Sequence, residues 1–375
     1  MLQGPSVRST LVVVGLVAAF IALVAAAIAY GGELGSFTTA SLEALPFLVL
    51  AALAQAGQRR AWARLLTYLW LVGLAMGFAF LCLTLAFAAV VGTSPTGIDS
   101  PAAGGILLRV VGAVFVAFLI SLPALFRPVR VALSRLIPIS PDSLVHKVAL
   151  FILVFITLAA FGQLAVLGGK PPLLGAIESV GAPASTRSSS GQILDLFYGL
   201  AWILPTTLVA AGYPLKRSFA DAIRRLGFTR PSRRQALIGL GLAIALVGLF
   251  TGIDNGLAYV WRLMGWPTTD TAAFKQLVGA GYSPLGAVAI GITAGVGEEA
   301  STRGLLQPRL GKLLPNLAFV SLHAFQYGPD ALISVFIMGL ILAFVRSWSN
   351  TTVAALVHGT YDFVVIMLDV LGLNI

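Results

Sequence analysis

The sequence predicts an all-α polytopic membrane protein of about eleven transmembrane helices, on three observations. Of the 375 residues, 58% are hydrophobic and only 10% charged, with mean hydropathy +0.95; a soluble domain carries about a quarter charged residues. Apolar runs recur along the whole chain, most of them near the roughly 20 residues needed to cross about 30 Å of hydrocarbon. The basic residues, finally, gather between alternate runs. The same composition excludes a disordered chain. The formal charge of +10 follows from Lys and Arg collecting in cytoplasmic loops, so the partner is the lipid bilayer and no nucleic acid is expected.

In order, the spans fall near 10–30, 37–57, 65–91, 105–126, 147–168, 192–213, 236–260, 283–306, 315–329, 331–346 and 351–371, the ninth and tenth being short. No small-residue cleavage site follows the first run, which reads as an uncleaved span. Arg59, Arg60 and Arg64 follow span two, and Arg127, Arg130 and Arg135 follow span four. Lys216, Arg217, Arg224, Arg225, Arg230, Arg233 and Arg234 follow span six; Arg309 and Lys312 follow span eight; Arg346 ends span ten. All lie on one side if eleven spans alternate. The other side holds Glu33, Asp99, Glu178 and Asp270, with Lys170, Arg187, Arg262 and Lys275 as its basic residues. The N-terminus is therefore expected in the cytoplasm and the C-terminus outside. Heavy use of Ala, Gly and Arg fits a GC-rich bacterial genome, and a bacterial plasma membrane is the expected location.

Two connections punctuate the chain. In 214–235, Ser218 with Asp221 has capping-box spacing, and Phe219, Ile223 and Leu226 form an apolar face, which suggests a short helix in the headgroup layer. The stretch 169–191 is rich in Gly, Pro and Ser and reads as a flexible outer loop. It divides the chain into an N-terminal membrane region, 1–190, and a functional region, 191–375. Cys82 lies in an apolar run and reads as a small buried hydrophobe.

Charges inside a bilayer cost a few kcal/mol each on insertion scales, so each requires a reason. The last third concentrates them. Span eight carries Glu298, Glu299 and Arg303, span nine His323, and span eleven His358 and Asp362. Glu299 and Arg303 are four apart and share a helix face, whereas Glu298 is rotated by about 100° and points away from the arginine. Gly291 and Gly295 have the small-xxx-small spacing of close helix approach. His358 and Asp362, also four apart, face one neighbour. Glu298, His323 and His358 each lie roughly 12 Å below the basic surface at 1.5 Å per residue. Three groups on three helices at one depth are what a single site requires.

Two chemistries suit this set. A desolvated glutamate sharing a water with an imidazole is a general base, and a second histidine with a carboxyl opposite it would meet a developing oxyanion. Alternatively, Glu298, His323, His358 and Asp362 hold a metal such as zinc with an open position for water. His-Glu-x-x-His, Gly-x-Ser-x-Gly and P-loop patterns do not occur.

Glu298-Glu299-x-x-x-Arg303, Phe319-x-x-x-His323 and His358-x-x-x-Asp362, in this order, resemble the three-motif pattern of the CPBP family, which comprises type II CAAX prenyl endopeptidases and bacterial Abi-type, bacteriocin-processing-like membrane proteins. The resemblance covers 283–372 and extends to Arg-Gly-Leu-Leu-Gln-Pro-Arg-Leu after the paired glutamates. The segment 225–232 resembles the basic loop that often precedes the family core. It implies a C-terminal CPBP-type helical core and an intramembrane endopeptidase acting on a membrane-associated protein or peptide. It also implies that Glu298 and His323 activate water, that His358 and Asp362 stabilise the oxyanion, and that Glu299 and Arg303 are structural. The third motif accepts Asn or Asp; an Asp must be protonated to donate, and it also suits a metal. Nothing in the chain specifies a prenyl group. A non-catalytic adaptor or immunity protein of the same fold, and a proton-coupled transporter using the same carboxylates as a relay, are the alternatives. Outside the site, His146 is expected to face solvent or headgroups, Asp254 and Asn255 to be interfacial, Tyr361 to support His358 or Asp362, and Trp348 to mark the membrane edge.

Overall fold

The computed structural model describes residues 5–29, 32–91, 101–180 and 188–373. All regular structure among them is helical. In order the helices are α1 (Pro5–Ala29), α2 (Gly32–Gly57), α3 (Ala61–Val91), α4 (Pro101–Ser121), α5 (Arg127–Leu133), α6 (Leu144–Val166), α7 (Pro172–Val180) and α8 (Ser189–Ala211). They continue with α9 (Phe219–Arg225), α10 (Arg233–Met264), α11 (Thr271–Val278), α12 (Pro284–Ile292), α13 (Gln307–Leu310), α14 (Leu313–His323), α15 (Pro329–Trp348) and α16 (Thr351–Val370). Two π-helical stretches, Thr293–Glu298 and Ala300–Leu306, join α12 to α13 as one continuous rod.

Every predicted span falls on a helix, and eight helices (α2, α3, α4, α6, α8, α10, α15 and α16) are long and apolar enough to cross a bilayer unaided. The rod from Pro284 to Leu310 also passes once paired with Thr271–Gly281, from which it turns by 89°. Span nine needs correction. Its helix, α14, has 11 residues, about 16 Å at 1.5 Å per residue, and a turn over 324–326 follows it. Hydropathy over-extended it because Tyr327, Gly328 and Pro329 continue the apolar run, while Gly328 is extended ahead of Pro329. The outer stretch 169–191 is likewise not all loop: α7 occupies Pro172–Val180, and 181–187, with Arg187, lies outside the described residues, as does Asp99.

Hydrogen bonds between separate segments define two ends of the bundle. At the basic end Gln58 meets Ser143 (3.0 Å), Arg225 donates to Gly304 O (3.2 Å), and Thr351 and Thr352 donate to Leu226 O and Thr229 O (2.6 and 2.8 Å). At the opposite end Tyr198 meets Glu33 (2.9 Å), Leu173 N meets Phe325 O (2.9 Å), Thr269 meets Asp330 (2.6 Å) and Lys275 meets Asp369 (2.6 Å). Each pair joins segments that an alternating eleven-span path puts at the same end. The segment 225–232 is therefore a docked strap across the start of α16, tied through its own carbonyls.

Local sequence explains these joints. Ser218 caps α9, accepting from Asp221 N (3.2 Å), but Asp221 accepts from the Ser218 hydroxyl instead of the backbone, so the box is incomplete. The complete capping box is at Ser232 and Gln235, opening α10. The buried face of α9 follows the predicted one only in Leu226. Ala222 and Leu226 pack against Leu208, Tyr213 and Leu305, while Phe219 is exposed.

The N-terminal helices form a wall behind α14. Phe78, Phe118, Phe151 and Phe155 stack edge-on or parallel from α3, α4 and α6, and Phe325 completes the group at 6.0 Å from Phe78. Cys82 is buried in the same core, and its carbonyl accepts from Gln163 (2.8 Å). A second core joins α10, α15 and α16 through Phe250, Leu342 and Val357. Between these two cores stand the π-helical rod, α14 and the first half of α16.

Candidate active site

Glycine sets the approach of the two helices that carry most of the charges. Gly291 and Gly295 on the rod face Ala355 and Gly359 on α16, and a Cβ on Gly295 would stand 2.6 Å from Ala355 O. Backbone therefore packs on backbone, and side chains one turn further on meet directly. A π turn is rare and carries one extra residue per turn, which re-aims the side chains around it. Here Glu299 lies between the two π-helical stretches.

Glu299 and Arg303 are fully buried, and they pair at 3.1 Å. The same Glu299 Oε1 accepts from His358 Nδ1 at 3.0 Å. Arg303 donates from Nη2 to Gly339 O (2.8 Å) and lies 4.7 Å over the Phe319 ring. Asn316, beside that nitrogen, donates to Phe336 O (3.0 Å). A Cβ at Gly339 would lie on Asn316 Oδ1, so this carbonyl is reachable only because residue 339 has no side chain. Gln307 adds bonds to Ala343 O and Ser347 (2.9 and 3.1 Å). Such a buried pair gains from every spare donor or acceptor that is met; α15 meets one through Gly339 O, while Glu299 Oε2 has no hydrogen-bond partner among the described residues. The i,i+4 pairing was evident in the sequence; the roles of Asn316, Gln307 and Gly339 were not, although a polar Asn and Gln flanked by apolar residues were a signal.

Glu298 points the other way. Its side chain is 33% exposed, and the nearest charged group is His358 Nε2 at 4.0 Å. Asp362 Oδ2 stands 3.5 Å from that same nitrogen. His358 thus has Glu299 on one ring nitrogen and Asp362 and Glu298 around the other. Tyr361 bonds to neither His358 nor Asp362; its ring packs against Phe250 at 5.7 Å.

His323 ends α14, and its Nδ1 contacts Phe319 O at 2.9 Å. A carbonyl only accepts, so Nδ1 donates and Nε2 keeps its lone pair. The ring lies parallel to Tyr327 and 4.6 Å from Phe319, which is itself 6.3 Å from His358. His323 comes within 4.0 Å of no carboxylate among the described residues. Glu298, His358 and Asp362 therefore form one cluster, with His323 next to it across Phe319.

This arrangement does not fit the four-ligand metal set. Ligands bound at about 2 Å must converge, yet His323 comes within 4.0 Å of no carboxylate of the set among the described residues. Among the described residues no three His, Cys, Asp or Glu side chains gather in a ligating arrangement.

The family of type II CAAX prenyl endopeptidases described as Rce1-like matches residues 280–364, a stretch that holds Glu298, Glu299, Arg303, His323, His358 and Asp362. No curated protein and no solved structure matches the chain. The chain is an integral membrane protein with several apolar helices long enough to span a bilayer, and its segment 280–364 is similar to the Rce1-like type II CAAX prenyl endopeptidases, a match that supports a CPBP-type intramembrane protease.

Proposed function

We propose that this domain hydrolyses a peptide bond in a membrane-associated protein or peptide, with the attacking water held between Glu298 and His323. The observation that supports it most is the contrast between two adjacent glutamates. Glu299 is fully buried and doubly bound, whereas Glu298 is open and uncommitted. A base must reach its water; Glu298 can and Glu299 cannot.

In this reading water gives its proton to Glu298 while His323 Nε2 accepts its second hydrogen as a hydrogen bond. The oxygen attacks the carbonyl carbon, and the carbonyl electron pair moves to oxygen. His358 faces that oxyanion. Carboxylates on both sides of the ring favour donation from both nitrogens, and the oxyanion takes the place of Asp362 as acceptor at Nε2. The tetrahedral carbon then collapses, the C–N bond breaks, and Glu298 returns its proton to the leaving nitrogen. Glu299 and Arg303 hold the tautomer and position of His358. No step is routed through a metal.

The basic end is assigned to the cytoplasm by the positive-inside rule. His358 lies seven residues into α16, about 10 Å from that end, a depth suited to a substrate segment entering from the cytoplasmic leaflet. The test compares peptide termini in membranes from cells holding equal amounts of wild type or Glu298→Gln. Termini formed only with wild type are expected. Identical termini, together with full complementation by a Glu298→Gln, His323→Ala double variant, would instead make the protein a non-catalytic adaptor.

A further inference from the structure

A second cluster of charges lies at the basic end, outside the motif residues. A cavity of about 220 Å³ is lined by Lys216, Arg217, Arg225 and Arg309, with His146 and Gln58 beside them. These four cations come from three segments that span almost a hundred residues. None lies within 4.0 Å of a carboxylate among the described residues, although other arginines of this end are paired, Arg127 with Asp142 and Arg224 with Asp221. Arg217 and Arg225 make bonds only to backbone carbonyls, Ala211 O and Gly304 O. Burial and the like charges of Arg309, Arg217 and Arg346 pull the Arg225 guanidinium down to about 10. Burial with Arg59 and Arg217 lowers Lys216 as well. Unneutralised cations crowded in this way call for an anion.

His146 supplies an independent pointer. The backbone N–H of Ser140 donates to its Nδ1 at 2.8 Å, which leaves the ring proton on Nε2. The residue is therefore a further donor lining the cavity, not the solvated histidine expected from its position. Leu305, Leu306 and Leu310 form an apolar wall on one side. Multiple N–H donors around a small volume, with no acidic residue lining it, suit a tetrahedral oxyanion. An apolar wall at the end of a membrane bundle suits an ester chain attached to it.

We propose that this cavity binds a phosphate group, carried either by an anionic phospholipid or by a soluble phosphate. Its floor is the end of the π-helical rod, since Leu305 and Leu306 close the second stretch and Arg309 follows it. A bound phosphate therefore anchors the segment that also carries Glu299 and Arg303. This inference is independent of proteolysis.

The test uses the purified full chain in nanodiscs of phosphatidylcholine alone or of an equimolar mixture with phosphatidylglycerol, with retained lipid read by native mass spectrometry. Inorganic phosphate is titrated separately against the melting temperature. The variant is Lys216→Gln with Arg309→Gln, two side chains that make no hydrogen bond among the described residues; Arg127→Gln is the control for diffuse surface charge. Wild type is expected to retain phosphatidylglycerol over phosphatidylcholine, with the double variant weakened about tenfold or more and the control unchanged. Stabilisation by inorganic phosphate that the double variant loses, without a lipid preference, would assign the site to a soluble phosphate. Equal loss in the control, or no preference and no stabilisation in wild type, would overturn the proposal.

Discussion

Glu298 and Glu299 are neighbours in sequence and opposites in setting. The Glu299 side is closed: a carboxylate, a guanidinium and an imidazole share one oxygen, roofed by Phe319 and backed by α15. The Glu298 side is open, with a third of its side chain accessible and its closest charged partner at 4.0 Å. Residue type does not separate the two. What separates them is the turn of the rod, which sets Glu299 between Arg303 and His358 Nδ1 and leaves Glu298 partly exposed, 4.0 Å from His358 Nε2. Rigidity on the closed side holds the imidazole that the open side would use.

That comparison can be broken from either side. Arg303→Leu is expected to have the largest effect on folding. It leaves Glu299 charged and buried without its cation, at a cost of about 3–5 kcal/mol, visible as a large fall in melting temperature in detergent. The double variant Glu299→Leu, Arg303→Leu should recover part of that loss, because it removes both charges together. His323→Ala should do the reverse, lowering turnover by about 10²–10⁴-fold, the range for a positioned acid–base group, with little change in melting. Gly339→Ala should cost about 1–3 kcal/mol by forcing Asn316 off Phe336 O and Arg303 off Gly339 O. Thr351→Val, which loses the bond to Leu226 O that ties the basic strap to α16, should cost about 1 kcal/mol. A His323→Ala protein that melts as poorly as Arg303→Leu would show the two sides to be one structural unit.

Much of the closed side was legible in advance. A charge in an apolar run needs a partner, and spacing of four supplied Arg303 for Glu299 and Asp362 for His358. Small-xxx-small spacing likewise identified the seam at Gly291 and Gly295. The partners across that seam were not legible, because Ala355 and Gly359 look like ordinary helix residues until the register of α16 is known. Nor was the Glu299–His358 bond, which joins residues 59 apart in sequence and depends on backbones in contact. The π turns left no hydropathic trace, since they change hydrogen-bond register and not composition. α14 was read too long because hydropathy registers grease and not helix ends. The basic cavity was invisible for a similar reason: loop charges explained by topology alone give no hint that four of them converge.

The central claim is that Glu298 is the reacting carboxylate and Glu299 the structural one. Its most direct test is the cleavage rate of Glu298→Gln on a substrate found by comparing termini, measured at equal folded protein with melting followed in the same sample. Wild-type melting with cleavage reduced at least a hundredfold, at the lower end of about 10²–10⁴ for general-base loss, is the predicted result. Retained cleavage, or a fall in melting like that of Arg303→Leu, would contradict it.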